Sequence, residues 1–180
     1  MVDVCDVDIQ RAERAVQTFG AEFTTADFTQ LVEHDDIDVV DIVTPNVAHA
    51  PVTLEVMKAG NHVICEKSLT MSSGQAQDMA QAAKDAGVKN GINFVYMLSS
   101  AHPVCPPPDS TGPYQTDFPR QYRLYAKVSD RPKSPLVWRL QKAMIGTGVL
   151  GDLGSPIIDL MEWLTDQRIV SLWPICKPYP

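Results

Sequence analysis

The chain has 180 residues, and its 15 lysines and arginines against 22 aspartates and glutamates leave a formal charge of −7. Apolar residues at 44 % and charged residues at 21 % are the mix of a globular protein, and the length suits one domain, or one domain plus a fragment of a second. The acidic balance argues against a nucleic-acid groove, and no apolar run reaches the roughly 18 residues that span a bilayer. Met1–Asp6 has neither the basic nor the apolar region of a signal peptide. Cys5, Cys65, Cys105 and Cys176 form no C-x-x-C pair, so neither a metal site nor a disulfide framework is expected, and a reducing cytoplasm is the expected location.

Met1–Cys5 reads as a strand ending at Asp6. Ile9, Ala12, Val16 and Phe19 then fall on one helical face, with Gly20 in the C′ position. Residues 37–43 form a β-branched strand stopped by Thr44-Pro45-Asn46. Val47, Ala50, Leu54 and Met57 repeat the helical spacing up to Gly60, and residues 62–65 form the next strand. Ala76, Met79, Ala80 and Ala83 mark a further helix closed by Gly87, and residues 92–95 form the last strand of the set. Strands alternating with helices of ten to fifteen residues imply βαβ crossovers and a parallel sheet.

The alternation then stops. Six of the fourteen prolines crowd between Ala101 and Arg120, which predicts a linker or disordered loop over residues 97–120. Beyond it, Ile157, Leu160, Met161 and Leu164 outline a helix, with Ser155 placed as N-cap and Pro156 at N1. Gly146-Thr147-Gly148-Val149-Leu150-Gly151 matches the dinucleotide pattern G-x-G-x-x-G letter for letter. A helix-like segment precedes it instead of a strand, so a pyrophosphate loop is not expected there.

Three segments, in this order and spacing, carry a resemblance: residues 36–49 (ending Thr-Pro-Asn-Val-Ala-His), residues 59–70 (with Glu66-Lys67-Ser68) and residues 148–160 (with Gly151-Asp152-Leu153-Gly154). Together they resemble the glucose-fructose oxidoreductase / inositol dehydrogenase / MocA family of NAD(P)-dependent oxidoreductases. The resemblance implies an α/β fold in which an incomplete Rossmann-like parallel sheet, its first strand missing from an N-terminally truncated chain, is followed by the start of an α/β substrate domain. It places a partial dinucleotide-binding domain at residues 1–96 and a fragment of the substrate domain at residues 121–180. It further implies hydride transfer between a nicotinamide cofactor and a secondary hydroxyl of a sugar or cyclitol, with a homo-oligomer as a possible assembly and no nucleic-acid or membrane partner.

Carried over residue by residue, the resemblance makes Lys67 and Asp152 the catalytic residues. It assigns Asp6, Thr44, Pro45, Asn46, His49, Glu66, Lys67, Trp138 and Arg139 to the cofactor. Abstraction of hydride from a carbinol carbon needs a base for the hydroxyl proton and a positive group beside the developing alkoxide, and these residue types supply both. Asp6, at the end of the strand where the adenosine ribose is held, implies NAD in preference to NADP. Taken alone, several residues have a plainer reading. Lys67 by itself reads first as a solvated loop lysine, and only the register of the three segments reverses that, while Asp6 is equally the cap of the helix at Ile9 and His49 equally a helix-surface histidine.

The chain also departs from the family. Ser68 replaces the usual proline after Glu66-Lys67, and Pro156 stands where the catalytic histidine is expected, so turnover is expected to be impaired. Residues 97–120 resemble nothing in the family, and the resemblance stops again near Ser171. Out-of-frame sequence at 97–120 and 171–180 would give that pattern. The rival reading is a non-catalytic nucleotide-binding or oligomerisation module.

Overall fold

The computed structural model describes residues 3–95 and, apart from 147, 149, 166 and 167, residues 141–171. The proline-rich segment 97–120, Trp138, Arg139 and residues 172–180 lie outside the described residues, as does most of the proposed frame-shifted sequence. In chain order the elements are β1 (Asp3–Cys5), α1 (Ile9–Phe19), β2 (Phe23–Thr25), α2 (Phe28–Val32), β3 (Val39–Ile42), α3 (Asn46–Lys58), β4 (His62–Glu66), α4 (Ser73–Ala86), β5 (Asn90–Asn93), α5 (Lys142–Ile145) and α6 (Ser155–Thr165). A π-helical turn, Leu150–Gly154, runs straight into α6.

Among the described residues all strand pairing is parallel. β1 pairs with β2, and β3-β4-β5 form a second sheet in which Val40, Val63 and Asn90 stand opposite one another. A doubly wound sheet has the order 3-2-1-4-5-6. The orders β2-β1 and β3-β4-β5 match the strands on either side of the first strand in such a sheet, and among the described residues β1 pairs only with β2 and β3 only with β4. The α/β fold with parallel strands is therefore as expected.

Helices α3 and α4 cover one face of the larger sheet, where Ile42, Val56, Met57, Val63, Cys65 and Ala83 form the core with Leu31 and Val32 of α2. On the opposite face the alternate residues Val39 and Ile64 are exposed. The two sheets share the core through α2, whose last carbonyl, at Val32, accepts a buried 2.8 Å hydrogen bond from Asn61 Nδ2. No helix among the described residues is long and apolar enough to cross a membrane.

Several local expectations need correction. Asp8, not Asp6, caps α1: its carboxylate accepts from Gln10 N, while Asp6 Oδ1 accepts from Asp8 N at 2.8 Å in the turn before it. The short β2 and α2 had no place in the sequence reading. β5 sits two residues earlier than expected, at Asn90–Asn93, because the pairing of Val63 with Asn90 sets its register. The buried face of α3 is Asn46, His49, Ala50, Thr53, Val56 and Met57, rotated from the apolar series that includes the exposed Val47. Ser155 does not cap α6, because the π turn continues into the helix, and its hydroxyl donates to Gly151 O at 2.7 Å.

Candidate functional site

The β3–α3 and β4–α4 connections leave the sheet at the carboxyl ends of adjacent strands, the place where open α/β sheets hold ligands. There Val43, Thr44, Asn46, Glu66, Lys67, Ile145 and Asp152 line an open cleft of about 250 Å³. Lys67 follows directly on β4, so the strand fixes its backbone. Its ammonium reaches Asp152, 85 residues away in sequence, and donates to the backbone oxygen at 2.7 Å and to carboxylate Oδ1. Both side chains remain partly open to solvent, at 22 % and 35 %, so a substrate hydroxyl can approach the pair.

Glu66 is used from both sides. Its Oε1 accepts from Asn93 Nδ2 at 2.6 Å, and its Oε2 accepts from the Lys67 amide at 3.2 Å. The carboxylate therefore ties β5 to the Lys67 turn while lining the cleft. On β3, burial and then the Glu66 charge push the Asp41 carboxyl above its ordinary range.

Thr44 and Asn46 form the other wall. Asn46 is buried in the first turn of α3, whose N-cap is Pro45. Thr44 Oγ1 is buried without a hydrogen-bond partner. An orphaned hydroxyl in a polar cleft fits the polar edge of a ligand such as a nicotinamide carboxamide or ribose. The G-x-G-x-x-G match follows α5, not a strand.

His49 is 0 % exposed, which overturns the surface-histidine reading. Its Nδ1 lies 2.8 Å from Ser68 O and its Nε2 lies 2.8 Å from Thr44 O. It thus spans the two loops that form the cleft walls. The Lys67–Ser68 peptide is cis. Ser68 Oγ donates to Gly151 O at 2.6 Å, beside Asp152. Pro156 is buried at the start of α6, where the resemblance would set a histidine.

The structure thus brings together Thr44, Asn46, Glu66, Lys67 and Asp152. Pro45, the N-cap of α3, and the buried His49 are not in that lining, and Asp6 follows β1 in the other sheet, also outside it. Sequence reasoning missed Val43, Ile145 and the Ser68 hydroxyl. Val43 carried a signal as the last β-branched residue before the Thr-Pro-Asn stop, whereas the four-residue α5 gave none for Ile145.

Comparison with known proteins agrees with this architecture. Residues 1–94 match the family model described as an oxidoreductase family with an NAD-binding Rossmann fold. A levoglucosan dehydrogenase from Pseudarthrobacter phenanthrenivorans is 30 % identical over 175 residues, covering 94 % of this chain and 45 % of the relative. An inositol 2-dehydrogenase from Rubrobacter xylanophilus is 35 % identical over 89 residues, 49 % of this chain and 25 % of that enzyme. Among solved structures, an oxidoreductase domain protein from Kribbella flavida superposes with a TM-score of 0.76 at 29 % identity, covering 92 % of this chain and 45 % of the other. Levoglucosan dehydrogenase in complex with NADH and levoglucosan gives a TM-score of 0.73 at 29 % identity, covering 91 % and 44 %. The chain spans about half the length of the relatives that match most of it. A family match over more than half of the chain, on a parallel sheet with the expected strand order, makes it a member of the glucose-fructose oxidoreductase / inositol dehydrogenase / MocA oxidoreductase family.

Proposed function

We propose that this chain forms the nicotinamide side of an NAD-dependent oxidoreductase acting on a secondary hydroxyl of a sugar or cyclitol. The observation that carries the reading is the Lys67 ammonium held on Asp152 at the mouth of a cleft walled by Thr44, Asn46 and Glu66. Relatives named levoglucosan dehydrogenase and inositol 2-dehydrogenase support the substrate class. The bound cofactor supplies the hydride acceptor. Thr44 and Asn46 would hold its nicotinamide end, and Lys67 would face the substrate hydroxyl. The ammonium stabilises negative charge developing on that oxygen, and Asp152 orients the ammonium and takes up the proton. Pro156 has no proton to exchange, so Asp152 carries the base role without an imidazole beside it.

Asp6 sets the cofactor preference for NAD. Its carboxylate accepts from a ribose 2′-hydroxyl and repels a 2′-phosphate. Trp138 and Arg139 complete the proposed cofactor set. One related structure, a 3-ketoreductase from Actinomadura kijaniata, holds NADP, so the preference needs its own measurement.

Titration of the chain with NADH and NADPH, followed by nicotinamide fluorescence, tests the cofactor reading. Saturable NADH binding weakened by Thr44→Val supports it, and tighter NADPH binding rejects the role of Asp6. Polyol-dependent NADH formation across a panel of sugars and inositols tests the chemistry. Lys67→Ala should abolish it, and Pro156→His should raise it by up to about 10²–10⁴-fold, the usual contribution of a general base. No NADH formation by either the parent chain or Pro156→His rejects the oxidoreductase reading.

A further inference from the structure

We propose that Ser68 is a positioning residue that holds Asp152 against Lys67. This inference rests on reading Lys67 and Asp152 as the reacting pair. The two belong to segments 85 residues apart, and a part-exposed ion pair alone is a weak tie between them. Three further hydrogen bonds converge beside it. Ser68 Oγ donates to Gly151 O at 2.6 Å, and Ser155 Oγ donates to the same oxygen at 2.7 Å. On the other side of Ser68, His49 Nδ1 lies 2.8 Å from the backbone oxygen.

Ser68 is thereby fixed from behind by α3 and reaches forward with its hydroxyl to the carbonyl immediately before Asp152. Gly151 O takes one donor from the Lys67 turn and one from α6, which sets both the position of the π turn and its direction. The residue that departs from the family pattern carries this link, because the proline it replaces has no hydroxyl to donate. The substitution exchanges a rigid ring for a hydrogen bond across the cleft.

Lysine reactivity reads this link directly. The unliganded chain is treated with trace acetic anhydride, and acetylation is quantified at each lysine by mass spectrometry, with the exposed Lys84 and Lys89 as internal references. Ser68→Ala should raise the Lys67 rate about 3- to 10-fold, the range one neutral hydrogen bond supplies, and leave the references unchanged. Ser68→Thr, which keeps the hydroxyl, should restore the parent rate. An unchanged Lys67 rate in Ser68→Ala overturns the proposal, as does a Ser68→Thr rate equal to that of Ser68→Ala. If Ser68→Ala loses its far-ultraviolet dichroism, Ser68→Cys keeps the volume, weakens the donor and is read by the same criterion. No cofactor or substrate enters the measurement. It can fail while the hydride-transfer reading stands, and the NADH titration can fail while the clamp holds.

Discussion

The β3-β4-β5 sheet and the β1-β2 sheet are built by the same βαβ rule, yet they differ in what holds them. The larger sheet has α3 and α4 packed on one face and contributes Ile42, Val63 and Cys65 to the core. The smaller has two three-residue strands and α1, whose only fully buried residue is Ala12, while Phe19 at its end is 74 % exposed. The larger sheet carries the stability and the cleft, and the smaller one carries Asp6. Apolar burial scales with the face that is covered, so a helix of equal pattern contributes less where its sheet is narrow.

The sharpest way to break this contrast is to remove equal kinds of contact from each side. Met57→Ala empties a buried position of the shared core and should cost about 2–5 kcal/mol. Val4→Ala, half-buried in β1, should cost about 1 kcal/mol. Urea unfolding of both variants checks the ratio, and equal losses would mean that the smaller sheet carries as much of the fold as the larger.

Cys65 extends the contrast to pH. Burial pushes its thiol up to about 11. An unfolded thiol ionises near 8.5–9, so above that pH the unfolded chain binds fewer protons than the folded one. Stability is therefore whole below about pH 9 and falls as the pH rises to about 11, by about 2–3 kcal/mol. Cys65→Ala removes this component, so the parent's extra loss between pH 8.5 and 11 is the quantity to measure. Parallel stability curves for the two proteins would show that Cys65 is not held in the dry core.

His49→Leu tests whether the cleft walls are tied together. It keeps the volume roughly constant and leaves the Ser68 and Thr44 carbonyls without that partner, at a cost of about 1–3 kcal/mol. NADH affinity should fall further than this loss of stability alone explains, because both walls move. A variant with parent affinity would confine His49 to packing.

The helices α1, α3 and α4 were legible because apolar spacing and a following glycine coincide, and Gly20 and Gly87 do adopt the left-handed conformation. β2 and α2 were not, although the cap at Asp27 before Phe28 was available as a signal. Three-residue strands and a five-residue helix are too short for periodicity to register. The face of α3 was misread because only apolar residues were counted, whereas its buried stripe includes Asn46, His49 and Thr53, two of which hold or line the cleft. The family resemblance named Lys67 and Asp152 together, but only the fold brings them into contact. The Ser68 link escaped because a departure from the pattern was read as a loss.

The smallest expected effect decides whether the two sheets unfold as one body. Asp8 caps α1 through Gln10 N, and Ser72 caps α4 through Gln75 N. Removing either cap by alanine should cost about 1 kcal/mol. The packing of Leu31, Val32 and Cys5 into the common core, with the Asn61–Val32 hydrogen bond, couples the smaller sheet to the larger. Both substitutions should therefore lower one shared transition by similar amounts, seen alike by far-ultraviolet dichroism and by the thiol reactivity of Cys65. If Asp8→Ala instead moves an early dichroism change and leaves Cys65 protection untouched, the smaller sheet opens by itself. The smaller sheet is then a local weakness of the fold.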